Sequence, residues 1–181
     1  MKIQTFISIN DSYAEQLESL SLHIDCEGAN DKFHGRKPFI RVRKLIIGAL
    51  GNHTCEDLLV LLQLFPVVEN LEIISSMHSN IELLTAVLYC CQHLRALSIC
   101  RKQLDFCETN ILPVGSLATF LPKEQLWINS NVVSVKVDEV AECVPTEIHE
   151  LKTHLPNCSS WLIKPVQPKA KSKQRAPFLQ I

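Results

Sequence analysis

Val68-Glu69-Asn70-Leu71-Glu72-Ile73 and Leu94-Arg95-Ala96-Leu97-Ser98-Ile99 carry one pattern, apolar-x-x-apolar-x-apolar, 26 residues apart. Outward from this pair the pattern returns at Leu17–Leu22, Val42–Ile47, Val132–Val137 and Cys158–Ile163. Measured on the final apolar residue, the steps along the chain are 25, 26, 26, 38 and 26. A loose apolar pattern arises often by chance in a chain that is 46% hydrophobic, but a near-constant period does not. The 38-residue step reads as one unit with a 12-residue insertion.

The residues between copies complete the unit. Thr54-Cys55-Glu56-Asp57 suits a helix start, because the Thr oxygen accepts an orphan N–H and the acids face the positive end of the dipole. Leu58, Leu59, Leu61, Leu62 and Phe65 follow at helical spacing, and Pro66 stops the helix. Ser79 and Asn80 precede the stripe Ile81, Leu83, Leu84, Val87, Leu88 and Cys91. Pro145 and Thr146 open a helix carrying Ile148 and Leu151 that Pro156 ends. Each unit is therefore a short strand, a turn and a helix. Alternate strand residues share one side, so the last two apolar positions of a copy face their own helix. Neither element buries that side alone, so the units stack.

These copies resemble the strand segment of leucine-rich repeats. The 26-residue period with a real helix is similar to the cysteine-containing subtype common in F-box/leucine-rich-repeat proteins. Leu64-Phe65-Pro66-Val67-Val68-Glu69-Asn70-Leu71 and Leu155-Pro156-Asn157-Cys158 resemble that group's transitions from helix to strand. The resemblance spans residues 14–164 and implies an α/β solenoid, a horseshoe arc with parallel strands on the concave side and helices on the convex side. It implies a non-catalytic module that recognises a protein substrate or adaptor of an SCF-type ubiquitin ligase, with scaffold components joining only a longer form. Only 16 residues precede Leu17, and they hold no F-box-like helical segment.

On that architecture, residues between core positions face the concave side. The expected partner-binding set is Ser21, His23, Ile46, Glu72, Ile74, Ser98, Lys136 and Leu162. Apolar Ile46, Ile74 and Leu162 among polar neighbours are the anchors that interfaces use. Arg36, Lys37, Arg41, Arg43 and Lys44 form a basic cluster. Of these, Arg41, Arg43 and Lys44, together with the basic C-terminal tail, support a second reading, an RNA- or phosphoprotein-binding repeat protein. Against it, Glu56, Asp57 and Glu69 are expected to offset that charge.

Three stretches break the repeat. Residues 25–38 hold Gly28, Gly35, Pro38 and six charges where the first helix belongs, which predicts a loop or a degraded helix. Residues 101–131 carry the insertion, with a helix expected on Ile111, Leu112, Val114, Leu117, Phe120 and Leu121 and an added surface loop over 123–130 that includes Trp127. The tail, 165–181, is basic and proline-containing and is expected to be disordered. Residues 1–13 form a lead-in.

Composition narrows the chemistry. The 181 residues carry 18 Lys+Arg against 19 Asp+Glu, a net charge of −1, so no chain-wide polycation grips nucleic acid. Five Gly leave little for phosphate loops. The N-terminus shows no export signal and no apolar run is long enough to span a membrane, which places the chain in cytoplasm or nucleus with its eight cysteines reduced. Cys90-Cys91-Gln92-His93 lacks a matching ligand pair and reads as core thiols beside a surface histidine; His149 and His154 are five apart, not four. No cofactor or metal is implied. A thiol enzyme would reveal itself by a depressed cysteine pKa.

Overall fold

The computed structural model describes residues 12–24, 36–49, 55–75, 80–101, 120–123, 127–140 and 145–165. Strands β1 (Ser19–Ile24), β2 (Lys44–Ala49), β3 (Asn70–Ser75), β4 (Ala96–Arg101), β5 (Ser134–Val140) and β6 (Ser160–Pro165) fall on the six copies of the sequence pattern. Helices α1 (Cys55–Leu62), α2 (Ile81–Cys90) and α3 (Pro145–Thr153) lie between them. The fold is α/β, with one six-stranded sheet in the order β1-β2-β3-β4-β5-β6, every pair parallel. A parallel neighbour needs a crossover, and in three connections a helix supplies it. Each strand adds at the same edge, and such crossovers share one hand, so the helices gather on one face.

The register is the sequence period made visible. Leu20, Leu45, Leu71, Leu97, Val135 and Trp161 pair across all six strands in one row, and Leu22, Ile47, Ile73, Ile99, Val137 and Ile163 in another. In the four inner strands both rows are sealed under the helices and join Leu59, Leu61, Leu84, Leu88 and Leu151 in one core. Parallel sheets are usually covered on both faces and read as unbroken apolar runs. Here β3 alternates exposed or half-buried with buried positions, so among the described residues one face of this strand is covered and the other is not.

Backbone hydrogen bonds repeat with the units. The carbonyls of Glu18, Arg43, Glu69, Arg95 and Val133, each just ahead of a strand, accept two N–H groups apiece from the following unit, at 2.7–3.4 Å. Turn side chains repeat too. Asn131 Nδ2 donates to the Gln92 carbonyl at 2.7 Å, and Asn157 Nδ2 donates to the Ser130 carbonyl at 2.8 Å, the same bond one unit later.

Asn80, just ahead of the apolar stripe, caps α2: its Oδ1 accepts the Leu83 N–H at 2.7 Å. Phe65 corrects the reading of α1, which ends at Leu62. The residue before a proline avoids the helical region, and Phe65 instead turns to stack on Phe39, centroids 4.9 Å apart. The expected surface loop over 123–130 is also corrected, because Trp127 and Asn129 are buried. They occupy the positions that Tyr89 and Cys91 hold 38 residues earlier, so the turn into β5 is regular and the extra residues of the long step precede Trp127. Phe120 and Leu121, expected at the end of a helix, lie in a turn and bend. The rest of that helix, the Thr54 cap, residues 25–35 and 166–181 lie outside the described residues; Arg36–Pro38 are neither helix nor strand, and Pro165 still belongs to β6.

Candidate interaction surface

The open face of the sheet follows from the covered one. Because side chains alternate, the residues between the two core rows form their own row: Ser21, Ile46, Glu72, Ser98, Lys136 and Leu162, paired strand to strand across the sheet. These are six of the eight residues that the sequence assigned to a binding face. Leu162 is 46% exposed, an apolar side chain in water at the end of the row. Ile74, on the next row, is half-buried beside Gly48 on β2, which offers no side chain. His23 pairs with Gly48 on the other side.

Strand register brings Lys44, assigned to the basic cluster, onto this same face in a row with Asn70, Ala96 and Ser134. The two rows enclose a shallow depression of about 230 Å³ over β2–β5, lined among others by Lys44, Ile46, Asn70, Glu72, Ser98 and Lys136. The Ser98 Oγ and Cys100 Sγ lie 3.3 Å apart. Among the described residues Lys44, Glu72 and Lys136 make no ion pair, whereas Lys164 and Asp138, nearer the β6 edge, approach to 3.9 Å.

The rest of the basic cluster sits elsewhere. Arg41 pairs with Glu18 at 3.4 Å and Arg43 with Glu69 at 2.8 Å. Both pairs line a second groove of about 530 Å³ at the strand starts, together with Ile40, Val67 and His93. The sequence named Glu69 as a counter-charge but not Glu18. At the position just ahead of the first four strands, Glu18, Arg43, Glu69 and Arg95 alternate in sign.

A third groove, about 310 Å³, lies between α2 and α3 and is lined by Thr85, Lys123, Trp127, Glu147, Glu150 and His154, among others. The Trp127 and His154 rings stack at 4.5 Å, and Tyr89 meets Trp127 edge-on at 5.8 Å. The His154 ring nitrogen Nδ1 lies 2.7 Å from the Trp127 carbonyl. Neither ring was singled out for this contact, although the 38-residue step places Tyr89 and Trp127 at matching positions.

The thiols are placed by burial. Cys91 is sealed in the core, and burial pushes its pKa up to about 12. Cys55, also buried, is pushed up to about 11 by burial, only partly offset by the Asn80 side chain. Cys90 faces the solvent side of α2, which corrects its assignment to the core; partial burial still raises its pKa. Cys158 is raised as well, chiefly by burial. A nucleophilic cysteine needs the opposite shift. His93 is exposed, and among the described residues no three His, Cys, Asp or Glu side chains converge as a metal site would require. No helix of the described residues is long and apolar enough to cross a membrane.

Comparison of the chain with protein-family models, with curated proteins and with solved structures found no match.

Proposed function

We propose that the chain is a leucine-rich-repeat solenoid whose open sheet face binds a protein partner, in the manner of the substrate-recognition region of an F-box-type ubiquitin ligase receptor. Packing distances support the arc. Parallel strands sit about 4.8 Å apart, whereas packed helices need about 8–10 Å between axes. Strand–helix units added in sequence, with all helices on one face, relieve that mismatch by bending the sheet away from the helices. The strands then line the concave side.

The observation that carries the binding role is the row of Ser21, Ile46, Glu72, Ser98, Lys136 and Leu162, in register across six strands with no helix of the described residues above it. A face left open at this length, with apolar side chains set among charged ones, has the composition of an interface. The ligase assignment rests on the resemblance of the repeats alone. The basic-cluster reading is weaker, because Arg41 and Arg43 are already engaged by carboxylates.

The test is quantitative affinity capture from cells with the wild-type chain and with Ile46→Asp and Leu162→Asp. The reading expects a discrete set of proteins lost from both variants, including one whose ubiquitination falls when the chain is depleted. Identical captures by all three chains would overturn it.

A further inference from the structure

The charges over the depression on the open face are ordered, and their order specifies a ligand. Lys44 stands on β2, Glu72 on β3 and Lys136 on β5. None of the three is paired among the described residues. The charged groups near them are engaged elsewhere: Arg43 with Glu69 at the strand starts, and Lys164 with Asp138 toward the β6 edge. The depression therefore presents cation, anion, cation in strand order, Glu72 and Lys136 in one side-chain row and Lys44 in the row next to it, with Ile46 as an apolar wall and Ser98 beside Glu72.

We infer that this face takes an extended peptide segment of a partner protein with the pattern acid-x-base-x-acid, laid across strands β2–β5. This deepens the binding role proposed above and rests on it. Lys44 and Lys136 are three strands and one side-chain row apart, about 14 Å across and about 7 Å along, so about 16 Å on the diagonal. An extended chain advances about 3.3 Å per residue, so side chains at i and i+4 point the same way about 13 Å apart. The four-carbon lysine stems close the remaining gap. Position i+2 faces the sheet between them, where a Lys or Arg meets Glu72. A peptide uniform in negative charge would meet Glu72 as a like charge, which disfavours a polyanion. The chain's own residues 166–181 carry four basic residues and no acid, the wrong sign for two lysines, so the occupant belongs to another molecule.

The test is panning of a random nonapeptide display library on the immobilised full chain, followed by fluorescence titration of the enriched peptides. The inference expects acid-x-base-x-acid to dominate. Lys44→Glu and Lys136→Glu should each weaken such a peptide by about 5- to 10-fold, since each turns an exposed attraction into a repulsion. Glu72→Lys should weaken it as well, and the triple reversal K44E/E72K/K136E should prefer the charge-inverted peptide. All three positions are exposed or half-exposed, and circular dichroism checks that the variants fold. Enriched peptides that lack the pattern, yet are lost on Ile46→Asp, would overturn the charge order and leave the binding face standing. Peptides that bind every face variant equally, or no enrichment at all, would overturn both. If Glu72→Lys tightened binding of a fluorescein-labelled RNA oligonucleotide or a phosphopeptide while the patterned peptide did not bind, the face would be a polyanion site and the inference would fail.

Discussion

Asn129 reaches back 41 residues to Leu88: its Nδ2 donates to the Leu88 carbonyl at 2.9 Å and also to the Cys91 carbonyl at 3.1 Å. Its Oδ1 accepts the Asn131 N–H at 3.2 Å. A helix leaves its last carbonyls without intrahelical partners. The side chain of the next unit supplies a donor to the Leu88 carbonyl at the end of α2 and a second donor to the carbonyl of the capping Cys91, which also accepts the Leu94 N–H at 3.0 Å, in a site where Asn129 is 1% exposed.

Replacing this amide should therefore uncouple two units. Asn129→Leu keeps the size but takes the side-chain donor from the buried Leu88 carbonyl and leaves the Cys91 carbonyl with the Leu94 N–H alone, which costs about 1–3 kcal/mol. Asn129→Asp is worse at neutral pH, since a carboxylate cannot donate and is itself buried, and acidification recovers part of the loss by restoring one donor. Urea titration should show a lower midpoint with an unchanged slope for Asn129→Leu. An unchanged midpoint would remove the amide from the stability of the fold.

Phe39 and Phe65, one period apart, stack with rings 9° from parallel and almost no exposed surface. Phe65→Ala should cost about 3–5 kcal/mol through lost burial and the cavity left behind. A double-mutant cycle with Phe39→Leu should give a coupling of about 0.5–1.5 kcal/mol. A coupling near zero would make each ring an independent core residue.

Most of the sheet could be read in advance because two constraints coincide in it. Leu45 and Ile47 must face one way for their own helix, and must match Leu71 and Ile73 one period on; the open-face row of Ile46 and Glu72 then follows by alternation. Asn129 was not legible. In sequence it stands beside Ser130 and Asn131 as one more turn-former, and its partners are backbone carbonyls whose position depends on where α2 ends. Phe65 was misread because helical spacing was followed through the residue before Pro66, where the proline itself gave the warning. Glu69 was legible as a counter-charge to the basic cluster, and the period pairs it with Arg43, which holds the same position one unit earlier, 26 residues apart; Glu18, the partner of Arg41, was not named.

That pair is placed for order more than strength. Arg43 is 70% exposed on its side chain, so solvent screens it despite the 2.8 Å contact. Arg43→Ala should cost no more than about 1 kcal/mol, and 0.5 M salt should erase most of the difference. Thermal melts of both chains at low and high salt test this. A larger, salt-independent loss would mean that the arginine stem, not the charge, supports the turn.

The buried thiols give the fold an alkaline limit. Burial holds Cys55 near 11 and Cys91 near 12, both above the value of 9.0 for a free thiol. Below about pH 9 both are protonated whether the chain is folded or not, and their contribution is fully present. Above it the unfolded chain releases these protons while the folded chain keeps them, so the unfolded state binds fewer protons and stability falls with rising pH. The loss should run from about pH 9 through the folded values at 11 and 12. Urea midpoints across pH 8–10.5 should decline more steeply for the wild type than for a Cys55→Ala/Cys91→Ala chain, which starts lower because it has lost core volume. A disulfide-exchange reagent at pH 8 should modify Cys90 in the native state and reach Cys55 and Cys91 only as fast as the protein opens. Immediate labelling of Cys91 would contradict its place beneath the Asn129 turn, and parallel midpoint curves for the two chains would mean that other groups set the alkaline limit.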